Sequence, residues 1–536
     1  MTQLSDTSLS STFQGLPNEI IGAICSQLPN GDIKSLRLTC RLLRDISYLN
    51  FDRVFISANP RNVEVLLAIA SHDVFRHRVK EIIWDDAVLK DVANKDNDGP
   101  SGYSSGDSDS EDDAANEDKE IMSRDLTYHL RDTVGSANGR LRDICISNAY
   151  HSDNKQHRQV EKLMRSRDSL AYWNFLLEQQ AEVLESGADE AAFRYAVQRF
   201  PRLTKVTVTP ATHGFLFMPL YQTPMIRAFP YGFVYPLPRG WPSDESLVLD
   251  YSDGFPDGWE NEEERKQWRG VCIVSKALAD FAETLQISEL ALDSHKLPTG
   301  IDYTIFKRPN ADYDNLCKIV KQPGFKSITV SLITGYISDR EPEDFDFYRN
   351  GMISKLLARA PELESFVYQT DYSHCPGAAE EEEIFVSLSD IFPIDMWSTG
   401  KLKHFGLHGI LVTQDDLISF LAKLPPTLES VNLSFLAMAG DENYAGLLTD
   451  MRDKLNWRHR PSGRRIQIHF SPQPRNISYD GRYLSLDKEV QDYIYEDGPM
   501  PFQFVERSTR PFLPPGTGIA LDEFDPDFKR TTKYHN

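Results

Sequence analysis

The stretches PGFKSITV (323–330), PELESFVY (361–368), GKLKHFGL (400–407) and PTLESVNL (426–433) share one pattern. An apolar residue is followed three and five positions later by two more: Phe325, Ile328 and Val330 in the first, Leu363, Phe366 and Tyr368 in the second. The last two alternate with polar neighbours at the period of a half-buried strand. The pattern begins at Val79, Leu141, Leu203, Ile287, Phe325, Leu363, Leu402 and Leu428. Chance alone gives about 34 three-position matches at this composition, so the weight rests on spacing. From Ile287 the intervals are 38, 38 and 39, and in four copies a proline (Pro201, Pro323, Pro361, Pro426) stands two residues ahead. Proline there ends a helix and extends the chain. Helical patterns precede several copies, at 189–200, 352–360 and 415–424.

A helix-then-strand unit that cannot bury its own apolar face must stack on its neighbours, which predicts an α/β fold with a parallel sheet on one side and helices on the other. Repetition would curve it into a solenoid. The earlier intervals of 62, 62 and 84 fit the same unit if long segments are looped out of successive repeats. TLESVNLSF (427–435) and ELESFVYQT (362–370) resemble leucine-rich repeats, although the units are longer than that family's and lack its regular Asn or Cys. The rival reading is an ordinary βαβ domain with unrelated strands.

The chain has 536 residues, 40% hydrophobic, enough to bury a sizeable core and unlike a fibrous or wholly disordered chain. Its net charge of -22 has the wrong sign for wrapping nucleic acid through phosphates. Six cysteines show no close pair or metal-ligand spacing and read as reduced thiols of a cytoplasmic or nuclear protein. No secretory signal or membrane-spanning run is visible. The segment 96–120 holds ten acidic residues and one lysine, too little apolar surface to offset ordering entropy, and is expected to be a disordered insertion. A second insertion, 210–262, interleaves aromatics with prolines; it reads either as a loop pinned to its own solenoid or as a client-binding surface, with Tyr231, Phe233, Tyr235 and Trp241 as candidates. The tail, 471–536, is rich in Pro, Gly and acidic residues and is expected to be mostly irregular.

Residues 13–57 contain the remaining signal. Leu16-Pro17 opens a helix, with Glu19 at its positive end, and Leu28-Pro29-Asn30-Gly31 closes it. Leu16, Ile20, Ile24 and Leu28, with Ile21 and Cys25, fill a half-cylinder. Asp32 is expected to cap a second helix carrying one stripe of Ile33, Leu36, Cys40 and Leu43, and another of Leu38, Leu42 and Ile46. Such a hairpin cannot cover both faces by itself. Either the following repeats cover the second face, or a partner does.

The run Leu-Pro-x-Glu-Ile-Ile-x-x-Ile-x-x-x-Leu, followed by Asp-Ile-x-Ser-Leu-Arg-Leu-Thr-Cys-Arg, resembles an F-box, in the fungal form that leads into leucine-rich-like repeats. The match covers about 40 of 536 residues, assigned as 12–52, with the solenoid at 53–470. The resemblance implies docking on the adaptor of an SCF (adaptor, cullin, F-box protein) ubiquitin ligase through Leu16, Pro17, Ile20, Ile24, Leu28, Leu36, Leu38 and Cys40. Leu42-Leu43 stand where many F-boxes have Trp. The implied role is a non-catalytic client receptor; the alternatives are an adaptor-binding scaffold without ubiquitination, or an enzyme with a cryptic site in 200–536. Common hydrolase, phosphate-loop and zinc-peptidase motifs are absent, and no cofactor, metal, nucleic acid or membrane partner is expected. Ser108 and Ser110, each with an acidic residue three positions on, are candidate phosphorylation sites, the rival being a passive solvated tract.

Overall fold

The computed structural model describes residues 16–90, 159, 162–242, 258–334, 345–371, 385–440, 442–472, 481–503 and 512–531. The acidic segment 96–120 with Ser108 and Ser110, and the pattern copy at Leu141, lie outside the described residues.

Among the described residues, every copy of the apolar pair in the series from Val79 lies in a strand. β1 (Arg53–Ile56), β2 (Glu81–Asp85), β3 (Lys205–Thr209), β4 (Glu289–Leu292), β5 (Ile301–Asp302), β6 (Ser327–Ile333), β7 (Ser365–Thr370), β8 (His404–His408), β9 (Leu411–Val412), β10 (Ser430–Ser434), β11 (Ala437–Met438) and β12 (Gln467–Ser471) follow in chain order. The main sheet runs β1-β2-β3-β4-β6-β7-β8-β10-β12, every pairing parallel, with β5 added beside β6. Each strand therefore pairs with the next full strand of the chain.

The register repeats through a backbone joint. The Asp52 carbonyl accepts from the amides of both Lys80 and Glu81, at 2.8 and 3.0 Å. The Lys80 carbonyl then accepts from Thr204 and Lys205, and the carbonyls of Thr204, Ser288, Lys326, Glu364 and Lys403 repeat the step. Each acceptor directly follows the first apolar residue of its unit. A carbonyl has two lone pairs, so one atom satisfies two amides that would otherwise be orphaned at a strand end.

Between strands the chain crosses one face of the sheet in helices: α4 (Pro60–Ser71), α5 (Ser166–Ser186), α6 (Ala188–Val197), α7 (Arg269–Asp280), α8 (Ala311–Val320), α9 (Met352–Leu357), α10 (Gln414–Lys423) and α11 (Tyr444–Lys454), the hairpin's α1–α3 being placed below. Asn59, Asn310, Thr413 and Asn443 cap their helices, each side chain accepting a first-turn amide. The apolar pairs of the strands, such as Phe366 and Tyr368, or Phe405 and Leu407, are buried with Leu66, Phe193, Val274, Leu316 and Leu421 of the helices in one continuous core.

Among its described residues the tail sets short regular elements between irregular stretches: α12 (Asp487–Tyr495) buries Val490 and Ile494 in the main core, and β13 (Arg482–Ser485), β14 (Ile519–Asp522) and β15 (Lys529–Thr531) form an antiparallel sheet of their own. One expectation is corrected: the pattern begins earlier than Val79, because Phe51, Val54 and Ile56 open the sheet at β1.

Candidate functional site

The N-terminal element forms three helices, not the two expected: α1 (Asn18–Cys25), α2 (Asn30–Arg37) and α3 (Arg41–Ile46). The second predicted helix breaks at Leu38–Cys40. The Thr39 hydroxyl donates to the Leu36 carbonyl at 2.7 Å, and Cys40 is extended at φ -158°. A threonine bonding its local backbone competes with helix continuation. Nor does Asp32 cap; the helix starts at Asn30 after Pro29.

This break orients the apolar side chains. Ile21, Cys25 and Leu43 are buried together, with Leu36, Cys40 and Ile46 packed on them, and Ile33 is buried too. Burial pushes the Cys25 thiol up. The other stripe of each helix stays in solvent: Leu38 is 88% exposed, Ile20 48%, and Leu16, Ile24 and Leu42 39% each. Among the described residues, only three other large apolar side chains, Phe175, Tyr231 and Ile519, are exposed to this degree. Leu16, Ile20 and Ile24 recur every four residues and so lie along one side of α1. Pro17 is exposed as well, whereas Leu28, Leu36 and Cys40 are half-buried. Of the eight residues expected to meet an adaptor, five therefore face outward and three are shared with the hairpin's interior. Leu42 belongs with the outward group.

Sequence reasoning did not reach the residues that hold this hairpin to the sheet. Asn30 donates to the Asn50 carbonyl at 2.8 Å and accepts from the Asn50 amide at 2.7 Å. The Asn50 side chain donates to the Leu28 carbonyl, and Arg78, from the approach to β2, donates to Asn50 Oδ1 at 2.9 Å. These are polar side chains in turns, with no periodic signal to mark them.

In the aromatic-proline segment burial accords with the pinned-loop reading and counts against most of the client-binding candidates. Phe233, Tyr235 and Trp241 are buried, so these three offer a client no surface; Tyr231 alone of the four candidates is exposed. Phe233 and Tyr235 stack 5.0 Å apart in a second core with Trp173, Phe215 and Leu216. Trp241 donates to Asp86 at 2.8 Å. Gly232, at φ +73°, lets the chain cross Lys162 where a Cβ would lie 2.1 Å from the carbonyl oxygen.

Asp85 and Asp86, at the end of β2, and the nearby His213 are buried acid and base groups with shifted protonation. His213 Nε2 lies 3.9 Å from Asp85 Oδ2. Burial pushes Asp85 up to about 7 and His213 down to about 3, so both are driven neutral. Asp86, raised to about 6 by burial, accepts from Trp84, Trp241 and the Gly270 amide. All three side chains are buried. The donors around Asp86 join β2, the 210–242 segment and α7.

The cations Arg458, Arg460 and Arg465 are engaged within the chain, by Asp497, the Leu428 carbonyl and Glu496 respectively. Among the described residues no three His, Cys, Asp or Glu side chains are grouped to hold a metal, and no helix is long and apolar enough to cross a membrane. Cys25, Cys272 and Cys317 are reduced thiols, Cys272 donating to Asp312 at 3.6 Å. No family model matches the chain, and no curated protein matches it.

Proposed function

We propose that this chain is the client-recognition subunit of an SCF-type ubiquitin ligase, with residues 16–46 as an F-box docking on the adaptor and the repeated array as a leucine-rich-repeat-like solenoid that holds a protein client. One observation carries the reading: the apolar stripe of Leu16, Ile20, Ile24, Leu38 and Leu42 is left in solvent by the very element whose sequence resembles an F-box. Exposed apolar stripes on short helices are a marked departure from an ordinary monomer surface and are stabilised by a partner. The array supports the second half of the proposal, because parallel strands paired in chain order leave one long sheet face opposite the helices. Such a receptor acts by proximity, raising the local concentration of client lysines near a charged enzyme, and needs no catalytic residue of its own.

The test is affinity purification of the full chain beside Leu38→Asp and Ile20→Asp/Ile24→Asp variants, with the co-purified adaptor and cullin quantified. The intact chain is expected to recover both, and the variants to lose them at least tenfold while keeping the melting temperature. Equal recovery, or absence from every sample, would leave the hairpin as an end cap of the array. If adaptor is recovered but no bound protein changes in modification or abundance on proteasome inhibition, the scaffold reading replaces the ligase one.

A further inference from the structure

The sheet face turned away from the helices is crossed by the C-terminal residues at the carboxyl ends of the strands. The crossing starts from β12, where the Leu486 amide donates to the Phe470 carbonyl at 2.8 Å. Tyr483 of β13 then meets the ring of Phe435, which follows β10, and holds Lys296 Nζ 4.5 Å from its own ring centre. Lys296 and His295 follow β4. Glu523, just after β14, places one carboxylate oxygen 2.8 Å from Lys296 Nζ and the other 3.3 Å from His295 Nδ1. His295 Nε2 continues to the Tyr221 hydroxyl at 3.3 Å, and the Tyr221 ring lies 5.9 Å from that of Phe55 on β1. Groups near the last strand are thus linked through Glu523 to the first.

Three features separate this crossing from ordinary core. The strands β13, β14 and β15 bond one another and form a sheet separate from the main one. His295 and Lys296 both hold positive φ, 51° and 61°, a conformation that non-glycine residues keep only where their surroundings fix them. Next to Lys296 the His408 imidazole is fully enclosed, and burial drives it down to about 3.

We propose that residues 512–531 are a releasable strap across this face, closed while Glu523 is gripped by His295 and Lys296, and that its release frees the 293–297 turn. Ser294 of that turn accepts from Gln369 of β7 at 2.8 Å, and Lys296 faces His408 of β8, which pairs in register with Gln369 and with Ser434 of β10. Phe524 and Phe528, buried beside Phe215 and Met218, seat the strap.

The charges around the fastening fix its response to pH. His295 faces Asp293, Glu523 and Lys296; Lys296 faces Glu523, Asp293, Tyr483 and His408. His295 and Lys296 hold Glu523 at about 2, below its ordinary 4.5, so its contribution is lost as pH falls below 4.5. His295 is raised above its ordinary 6.5 by its two carboxylate neighbours, against the opposing effect of burial, so its contribution is complete below 6.5 and is lost as pH rises through the raised value. Closure is firmest between 4.5 and 6.5.

Hydrogen exchange read by mass spectrometry on the full chain tests this without any partner, so the outcome is separate from the adaptor proposal. In the wild type at neutral pH, amides of 519–531 are expected to exchange at least a hundredfold faster than those of 431–433 in β10. Glu523→Gln should accelerate 519–531 tenfold or more and leave 431–433 unchanged. Equal protection of the two stretches in the wild type, no effect of Glu523→Gln, or equal acceleration of both stretches would each overturn the proposal, because the strap would then be part of one cooperative unit.

Discussion

Burial drives Asp85 to about 7, and the sign of its effect on stability follows from that direction. Between its ordinary 3.8 and about 7 the folded chain keeps a proton that the unfolded chain has released. Stability therefore falls as pH rises through that window, by as much as a few kcal/mol at about 1.4 kcal/mol for each unit. Asparagine copies the shape of the protonated acid. Asp85→Asn is expected to melt several degrees above the wild type at pH 8 and level with it near pH 4; parallel melting curves at both pH values would contradict the assignment. Leu38 is the opposite case, a large apolar side chain that touches little of its own protein. Leu38→Asp should change unfolding free energy by no more than about 0.5 kcal/mol in urea titration, as surface substitutions do. A larger loss would mean that Leu38 contacts the chain more than its exposure implies.

At the scale of elements, the turn after β8 leaves no room for a side chain. Gly409 sits at φ +67°, and a Cβ there would lie 2.3 Å from the Thr370 carbonyl oxygen. Gly409→Ala should cost about 1–3 kcal/mol, seen as a lower urea midpoint; an unchanged midpoint would show that the turn gives way freely. The strands were legible in the sequence because their apolar pairs stand at i+3 and i+5 after a third apolar residue. β12 fails that pattern: Arg465 takes the first position, laying its guanidinium over the Tyr495 ring. The break between α2 and α3 was hidden because Ile33, Leu36, Cys40 and Leu43 keep helical spacing across it, and one hydroxyl decides the matter. On α1 the width of the apolar face was readable, but which half turns outward depends on what packs against it. The fastening of Glu523 to His295 spans 228 residues and leaves no local trace.

At the scale of the molecule, an array of stacked units has two open ends, and each must be closed. The C-terminal end is closed by α12, whose Val490 and Ile494 cover the core at β12. A Val490→Asp/Ile494→Asp double variant buries two charges or exposes Ile468 and Phe470. It is expected to elute as aggregate in size-exclusion chromatography with light scattering; a folded monomer would show that the array needs no such cover. At the other end β1 is the last strand of the sheet among the described residues, and the hairpin is joined there by Asn50 and Arg78.

The paired-amide joint divides the molecule into two margins with different freedoms. Every joint lies where a strand begins, is made by one carbonyl, and admits no extra residue without breaking two bonds. At the opposite margin the described residues show single interstrand bonds in place of paired joints, and the connections vary in length: 80 residues separate Asp85 from Ser166, 59 separate Thr209 from Arg269, but only 5 separate His408 from Gln414. Novelty can accumulate on one margin while the other keeps time, so the chain can be rewritten piecemeal along the carboxyl ends of its strands without losing its count.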